Sequence, residues 1–272
     1  MSAPSSTTLR RARPLLGTLV SIMADTDAIG DAQTLAAMDD AFATISAIHD
    51  AMSAHSPDSD LAKLAHARAG SAIVLSPHTC NVLRAAEHWT RESAHAFDPA
   101  QAGSNLARRG VRPGIAGDTH TSASLAALDF ADDTTVIAPG PLALDLGGIA
   151  KGYAVDQAVS VLRAHGVQCA LVNAGGDLRA FGARPWPIDV RPSSGPLTAR
   201  MLRLKEGAIA TSLRGDEFVP KRRAPARWRC ASVQARDCMT ADALTKWALQ
   251  ADEPGLRLRR TLREHGARLV RW

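Results

Sequence analysis

Two glycine-rich turns, residues 145–152 and 173–177, carry the side chains best suited to bind a charged ligand. Glycine lets a large group approach the main chain, and a helix after such a turn offers free N–H groups and the positive end of its dipole. Lys151 adds a cation at the first turn, and Asp145 adds the opposite charge. These features predict a phosphate site. The pattern is equally compatible with glycines that only shape the turns and a lysine that is solvated.

A strand, a helix and a second strand are predicted to position these turns. Apolar residues alternate over residues 142–146, as in a half-buried strand, and then keep a helical period over residues 149–162. Gly166 suits the position just after a helix, and residues 169–172 read as the next strand. The spacing GGxxKG fits neither the dinucleotide fingerprint nor the P-loop.

Composition indicates a globular protein with a large core. The chain has 272 residues, of which 46% are apolar and 22% charged, so it can form one large domain or two interlocked lobes. Its four cysteines show no C-x-x-C or metal spacing, which predicts free thiols and a cytoplasmic location. We expect no signal peptide and no membrane span, since no apolar run approaches about 20 residues.

The positive net charge makes nucleic acid a candidate partner that has to be considered. The formal charge is +5, and basic residues are concentrated in residues 221–229 and 257–271. No zinc finger, RNP aromatic pair or recognition helix accompanies them, and aromatic residues make up only 4% of the chain. A basic nucleic-acid-binding module is therefore the least favoured hypothesis, and we expect no nucleic acid partner.

Other elements follow from periodicity and capping residues. Residues 15–23 predict the first strand, and an apolar stripe over residues 35–52 predicts a core helix. Ser56-Pro57 predicts a short helix through Leu64, and Ser76-Pro77 predicts another through Trp89.

The second half of the chain is predicted to be rich in strands. Residues 101–124, with many Gly, Arg, Ser and Thr, are interpreted as a surface excursion, after which strands resume near Leu142. Residues 187–190 and 197–204 predict an antiparallel pair.

The order of four motifs resembles the ApbE family, the FAD:protein FMN transferases. They are R-P-L-L-G-T at 13–18, D-L-G-G-I-A-K-G at 145–152, N-A-G-G-D at 173–177 and D-C-M-T-A-D-A-L at 237–244. The resemblance implies an α+β, two-lobed fold with mixed or antiparallel sheets and flanking helices, as a single domain over residues 1–272. It also implies a magnesium-dependent enzyme that splits FAD and attaches FMN, through a phosphoester, to a threonine of an acceptor protein.

The resemblance also implies a set of FAD-binding residues. The ring of His55 is expected to pack on the isoalloxazine, the segment 96–98 to meet the FAD through main-chain and acidic groups, and Lys151 to contact phosphate. The full set is Leu16, His55, Ala96, Phe97, Asp98, Asp145, Lys151, Gly175, Gly176 and Asp177.

By the same resemblance, magnesium is expected to be held by the carbonyl of Gly148, the carboxylate of Asp242 and Thr245, with Asp242 and Lys151 as catalytic residues. Asp242 and Thr245 share a helical face. Lys246 stands where the family commonly has threonine, and an ammonium cannot ligate a cation. We expect its side chain to point away along the helix. The alternative is that it lies against Asp242 and satisfies the carboxylate without metal.

Three departures from the family pattern keep other hypotheses open. Residues 207–212 resemble the family's A-I-A-T-S strand end, but the H-x-I-D-P-R-T-G segment expected after it is replaced by residues 213–227. In addition, V-G-P-L is replaced by residues 100–104, and no lipobox cysteine occurs near the start. The alternative to the transferase is therefore a diverged FAD-binding protein or FAD pyrophosphatase without transferase activity. The chain itself contains no D-G-A-T-like acceptor motif.

Overall fold

A computed structural model describes residues 7–100, 124–190, 200–213, 229–250 and 255–271. The predicted α+β class is confirmed, because helices flank antiparallel sheets. In these residues, the strands in chain order are β1 Thr8–Leu15, β2 Thr18–Asp25, β3 Ala72–Val74, β4 Asp129–Phe130, β5 Thr135–Ile137, β6 Ala170–Ala174, β7 Asp177–Phe181, β8 Trp186–Val190, β9 Arg200–Leu204, β10 Gly207–Leu213, β11 Cys230–Ala235 and β12 Arg268–Arg271.

The largest sheet of the described residues has the order β1-β2-β6-β7-β10-β11-β12, and every neighbouring pair in it is antiparallel. A second sheet has the order β3-β5-β4, and β8 pairs with β9. The helices are α1 Asp31–Met52, α2 Asp60–Ala65, α3 Pro77–Glu92, α4 Ala150–Ala164, α5 Cys238–Gln250 and α6 Leu256–Glu264, with a 3₁₀ turn at Leu125–Ala127.

Helices α4 and α5 cover one face of the large sheet. Helix α4 packs on β6 and β7, α5 packs on β10 and β11, and α1 packs on α4. The alternation of side chains along the strands explains this layering: Ala208 and Ala210 belong to the core under the helices, while Ile209 points to a second core that includes Trp186. The two turns at residues 147–149 and 175–176 thus lie at ends of elements packed on both sides.

Several predicted elements are confirmed. The apolar stripe forms α1, in which Met38, Phe42 and Ile45 are fully buried. Ser76 caps α3 by accepting a hydrogen bond from the N–H of His78, with Pro77 in the first turn. The predicted strand pair is formed by β8 and β9, which are antiparallel, and residues 197–199 of the prediction lie outside the described residues. The predicted strand after residue 169 is β6.

The predicted first strand is wrong at its start. Residues 15–23 contain the turn of a hairpin, because Leu16 and Gly17 both have positive φ angles, 56° and 69°, and join β1 to β2. A two-residue turn with positive φ at both positions matches the twist of a β-hairpin.

Two other predictions need correction. The short helix begins at Asp60 and not at Pro57, because the N-cap is Ser59, whose side chain accepts a hydrogen bond from the N–H of Ala62 at 3.1 Å. Residues 142–146 form no strand: the N–H of Leu142 donates to the carbonyl of Leu64, and that of Asp145 donates to the carbonyl of Pro99. Strands also resume before residue 142, at β4 and β5.

The predicted excursion at residues 101–124 lies outside the described residues, apart from Ser124. The organisation of the chain as one domain with two lobes stays a prediction. Among the described helices, none is long and apolar enough to cross a membrane.

Candidate functional site

Lys151, in the first turn of α4, is held between two buried carboxylates. Its Nζ donates to the carbonyl oxygen of Gly147 at 2.9 Å and lies 3.1 Å from Oδ2 of Asp177 and 3.9 Å from Oδ2 of Asp242. Burial alone would lower the pKa of Lys151, but the charges of Asp242 and Asp177 raise it. The side chain is therefore a fixed cation, and it keeps 23% of its surface exposed.

Lys246, on α5, points into the site and not away from it, so the expected orientation is wrong. Its Nζ lies 2.8 Å from Oδ1 of Asp242, donates to Oγ of Ser212 at 2.5 Å and lies 3.4 Å from Oγ1 of Thr245. The physical reason is the burial of Asp242, which is fully inaccessible one helical turn earlier. A buried carboxylate left without a cation is costly, and an acid four residues before a base is a favourable pair on a helix.

The hydroxyl of Thr245 is also engaged by the protein. It donates to the carbonyl of Asp242 at 2.7 Å and lies 2.6 Å from the hydroxyl of Ser212. Ser212, at the end of β10, is a site residue that the sequence reasoning missed, although the A-I-A-T-S match ended on it.

Gly148 allows the lysine and an aromatic ring to approach the turn. A Cβ at this position would lie 3.1 Å from Cγ of Lys246, 3.2 Å from its Cε and 3.4 Å from Cε2 of Phe97. The stem of Lys246 therefore runs beside the residue whose carbonyl was expected to ligate magnesium.

The described residues do not fit the expected magnesium site. Magnesium requires an octahedral oxygen shell, but an ammonium lies between the oxygens of Asp242 and Thr245 and beside Gly148. Elsewhere in the part of the chain that the structure describes, no group of three or more His, Cys, Asp or Glu residues is placed to hold a metal ion.

The two buried aspartates of the site differ in their electrostatics. Burial raises the pKa of Asp177 and the charge of Asp242 adds to this effect, while the charges of Lys151 and Lys246 oppose it only in part. Burial also acts on Asp242, but Lys151 and Lys246 outweigh it and lower the pKa. Among the described residues, Oδ1 of Asp177 has no hydrogen-bond partner.

A cavity of about 220 Å³ opens beside Lys151. Its lining brings together four predicted residues, Leu16, His55, Asp145 and Lys151, with the apolar end of α1 at Met52. Pockets that enclose a whole ligand usually have about 300–1,000 Å³. This cavity therefore suits one end of an elongated ligand, such as an apolar ring with a charged group at Lys151.

The second glycine turn does not line this cavity. Gly175, with φ of 63°, packs so closely on β2 that a Cβ would lie 2.5 Å from Oγ1 of Thr18. Gly176 donates its N–H to Oδ1 of Asn173 at 2.9 Å, and nothing described lies within 4 Å of where its Cβ would be. Only Asp177, at the start of β7, reaches the charged cluster from this turn.

The segment 96–98 contributes one of its three predicted residues to the site. Phe97 reaches Gly148, whereas Ala96 packs against the core. Asp98 faces its own loop, where Oδ2 lies 2.8 Å from Nδ1 of His95 and Oδ1 accepts the N–H of Ala100 at 3.1 Å.

Gly152 is a second residue that the sequence reasoning did not place in the site. Its N–H donates to Oδ2 of Asp242 at 3.3 Å, and a Cβ there would lie 2.4 Å from the carbonyl oxygen of Cys238. The second glycine of G-I-A-K-G was the available signal, because α4 and α5 can cross this closely only at a residue without a side chain.

Comparison with known proteins gives a consistent result. The model of the ApbE family matches residues 16–268. The FAD:protein FMN transferase of Treponema pallidum is 28% identical over 216 residues, 69% of this chain and 59% of that protein. The FAD:protein FMN transferase of Rhodobacter capsulatus is 44% identical over 62 residues, 21% of this chain and 12% of that protein. The chain thus spans less than two thirds of either relative.

Among solved structures, a variant of the flavin transferase ApbE from Vibrio cholerae has a TM-score of 0.80 and 21% identity, with 98% of this chain and 93% of that chain covered. The apo form of the flavinyl transferase ApbE from Pseudomonas stutzeri has a TM-score of 0.79 and 20% identity, with 99% and 92% covered. At these identities the likeness shows the fold alone.

Proposed function

Because this chain belongs to the ApbE family, we propose that it transfers FMN from FAD to a threonine of an acceptor protein and releases AMP. The observation that carries the proposal is the cavity in which Leu16 and His55 face a fixed cation, Lys151. Relatives named FAD:protein FMN transferase support the choice of FAD as the ligand.

The cavity divides the binding of FAD into two parts. The isoalloxazine end enters beside His55 and Met52, where the wall is mostly apolar. The phosphates meet the first turn of α4, where the positive end of the helix dipole and the ammonium of Lys151 favour an anion. Since Lys151 is already held by Gly147 and Asp177, little side-chain entropy is lost when phosphate binds.

In the proposed reaction, the threonine hydroxyl oxygen forms a bond to the FMN phosphorus as the bond from that phosphorus to the bridging oxygen breaks. AMP leaves with the electron pair, and the hydroxyl proton is released. Phosphoryl transfer of this kind depends mainly on positioning and on neutralising charge. Lys151 supplies the neutralising charge on the phosphate oxygens, and Asp242 holds both Lys246 and the N–H of Gly152 in place.

The magnesium dependence that the family resemblance implies finds no support in the described residues. Gly148, Asp242 and Thr245 surround the ammonium of Lys246, as described above. We therefore route no step of the reaction through a metal ion.

We place the protein in the cytoplasm, where it acts on an acceptor protein that carries a flavinylation threonine. The support for this location is that all four cysteines are free thiols and buried.

A second candidate function is binding of FAD without transfer, or hydrolysis of its pyrophosphate. The pairing of Lys246 with Asp242 favours it, since the expected metal chemistry has no ligands to use. One chromatographic assay separates the three. The protein is mixed with FAD and a purified flavoprotein that carries a D-G-A-T segment. AMP with flavin bound covalently to the acceptor supports transfer, AMP with free FMN supports hydrolysis, and intact FAD supports binding alone.

A further inference from the structure

We infer that the ammonium of Lys246 fills the cation position of this site, so that no divalent metal ion binds at Asp242 and Thr245 and FAD binding does not depend on one. The identity of the ligand rests on the proposed function. The cation position itself rests on the geometry around Lys246.

The partners of Lys246 are oxygens of the kind that hard cations prefer. They are the carboxylate Oδ1 of Asp242 at 2.8 Å, the hydroxyl of Ser212 at 2.5 Å and the hydroxyl of Thr245 at 3.4 Å. An ammonium has three donors, and these three oxygens stand within reach of them. The protein therefore presents to its own lysine the oxygens that would otherwise surround a metal ion.

Packing holds the lysine in this position. Lys246 is only 4% exposed, and its stem lies against Gly148, close to the ring of Phe97. To admit a metal ion, the side chain has to leave a buried carboxylate and a buried hydroxyl and open a gap in the packing. Each of these changes is unfavourable.

Charge opposes a divalent ion as well. Oδ1 of Asp242 faces Lys246 at 2.8 Å, and Oδ2 faces Lys151 at 3.9 Å. Asp177 and Asp242 together carry as much negative charge as the two lysines carry positive charge. A divalent ion beside Asp242 would be repelled by the ammonium groups of Lys151 and Lys246.

The test measures metal binding directly, without turnover. Mn²⁺ is titrated into the full chain and free Mn²⁺ is followed by electron paramagnetic resonance. The quantity of interest is the amount of Mn²⁺ bound by the native chain minus the amount bound by Asp242→Asn. This subtraction leaves out Mn²⁺ that binds elsewhere on the protein. FAD affinity, from flavin fluorescence, is measured in parallel with Mg²⁺ and with EDTA.

Three chains are compared, native, Lys246→Thr and Lys63→Met, each with and without Asp242→Asn. Lys63 is the matched control, since its Nζ lies 2.7 Å from Oδ1 of the buried Asp60 on α2, outside the cavity. We expect no Asp242-dependent Mn²⁺ binding in the native chain or in Lys63→Met, and equal FAD affinity with Mg²⁺ and EDTA. Lys246→Thr should gain Mn²⁺ binding, and Mg²⁺ should tighten its FAD binding at least tenfold.

Saturable, Asp242-dependent Mn²⁺ binding by the native chain overturns the inference, and so does a folded Lys246→Thr chain that binds no Mn²⁺. If Lys246→Thr does not fold, as judged by circular dichroism, the native titration decides alone. The proposed function fails separately: a chain that neither binds nor cleaves FAD contradicts it and leaves the Mn²⁺ result standing.

Discussion

Nζ of Lys246 lies 2.8 Å from Oδ1 of Asp242, one helical turn earlier on α5, and both side chains are buried. The pair places an ammonium where the family resemblance implies a metal ion. Removing one half of a buried ion pair leaves the other charge without compensation, whereas removing both halves has a much smaller effect. Each half of the pair is therefore needed for stability as long as the other is present, whatever part the pair has in the reaction.

The first prediction concerns this pair. Asp242→Ala should destabilise the protein by about 3–5 kcal/mol, because it leaves Lys246 buried and uncompensated. Adding Lys246→Met should restore part of the loss. Urea unfolding measures both, with Asp39→Ala as the control, since Asp39 pairs with Arg11 and Arg13 at the surface. If Asp242→Ala lowers the free energy of unfolding by no more than Asp39→Ala does, the prediction is contradicted.

The second prediction separates the phosphate contact from the ring contact. Lys151→Met should weaken FAD binding about tenfold or more, because a charge-assisted hydrogen bond contributes about 1.5–3 kcal/mol. Riboflavin, which has no phosphate, should bind the variant and the native chain alike. Fluorescence titration of both ligands checks this, with Lys63→Met as a control. If the affinity for riboflavin falls by the same factor as the affinity for FAD, Lys151 acts on the flavin ring or on the fold and not on the phosphates.

The third prediction concerns the mouth of the cavity. His55 is exposed and lines the same cavity as Lys151. His55→Ala should therefore weaken the binding of FAD and the binding of riboflavin by the same factor, several-fold, because the lost contact is with the flavin ring that both ligands share. His66→Ala, an exposed histidine outside the cavity, should change neither affinity. A loss confined to FAD would place His55 at the phosphates instead.

The fourth prediction concerns the crossing of α4 and α5. Gly152→Ala places a Cβ 2.4 Å from the carbonyl oxygen of Cys238, so the helices must move apart. We expect a loss of about 1–3 kcal/mol or more in the free energy of unfolding, together with weaker FAD binding. Gly255→Ala, whose Cβ would meet no described atom within 4 Å, should lose at most about 1 kcal/mol, since only a capping preference changes.

Periodicity and capping residues predicted α1 and α3, because they report local physics, but Ser56-Pro57 predicted the start of α2 three residues too early. The apolar stripe of α1 and the Ser76 cap of α3 depend on residues within a few turns. Residues 142–146 alternate as a strand does, yet Leu142 and Asp145 bond to loops, and alternation alone cannot identify the partner of an extended segment.

The sequence predicted which residues meet at the site better than it predicted how their side chains point. Motif order placed Leu16, His55, Asp145 and Lys151, which the fold brings to one cavity. Motif order could not give the direction of a side chain. The sequence did hold the relevant signal, a lysine four residues after a buried aspartate on one helix.

The mass of the acceptor protein tests the central claim most directly. The full chain is incubated with FAD and a purified flavoprotein carrying a D-G-A-T segment, with a threonine-to-alanine version of that flavoprotein as the control. The account predicts that the acceptor gains the mass of one FMN less one water on that threonine, with one AMP released for each transfer, in EDTA as in magnesium. An acceptor of unchanged mass in both solutions, with bound FAD intact, would contradict it.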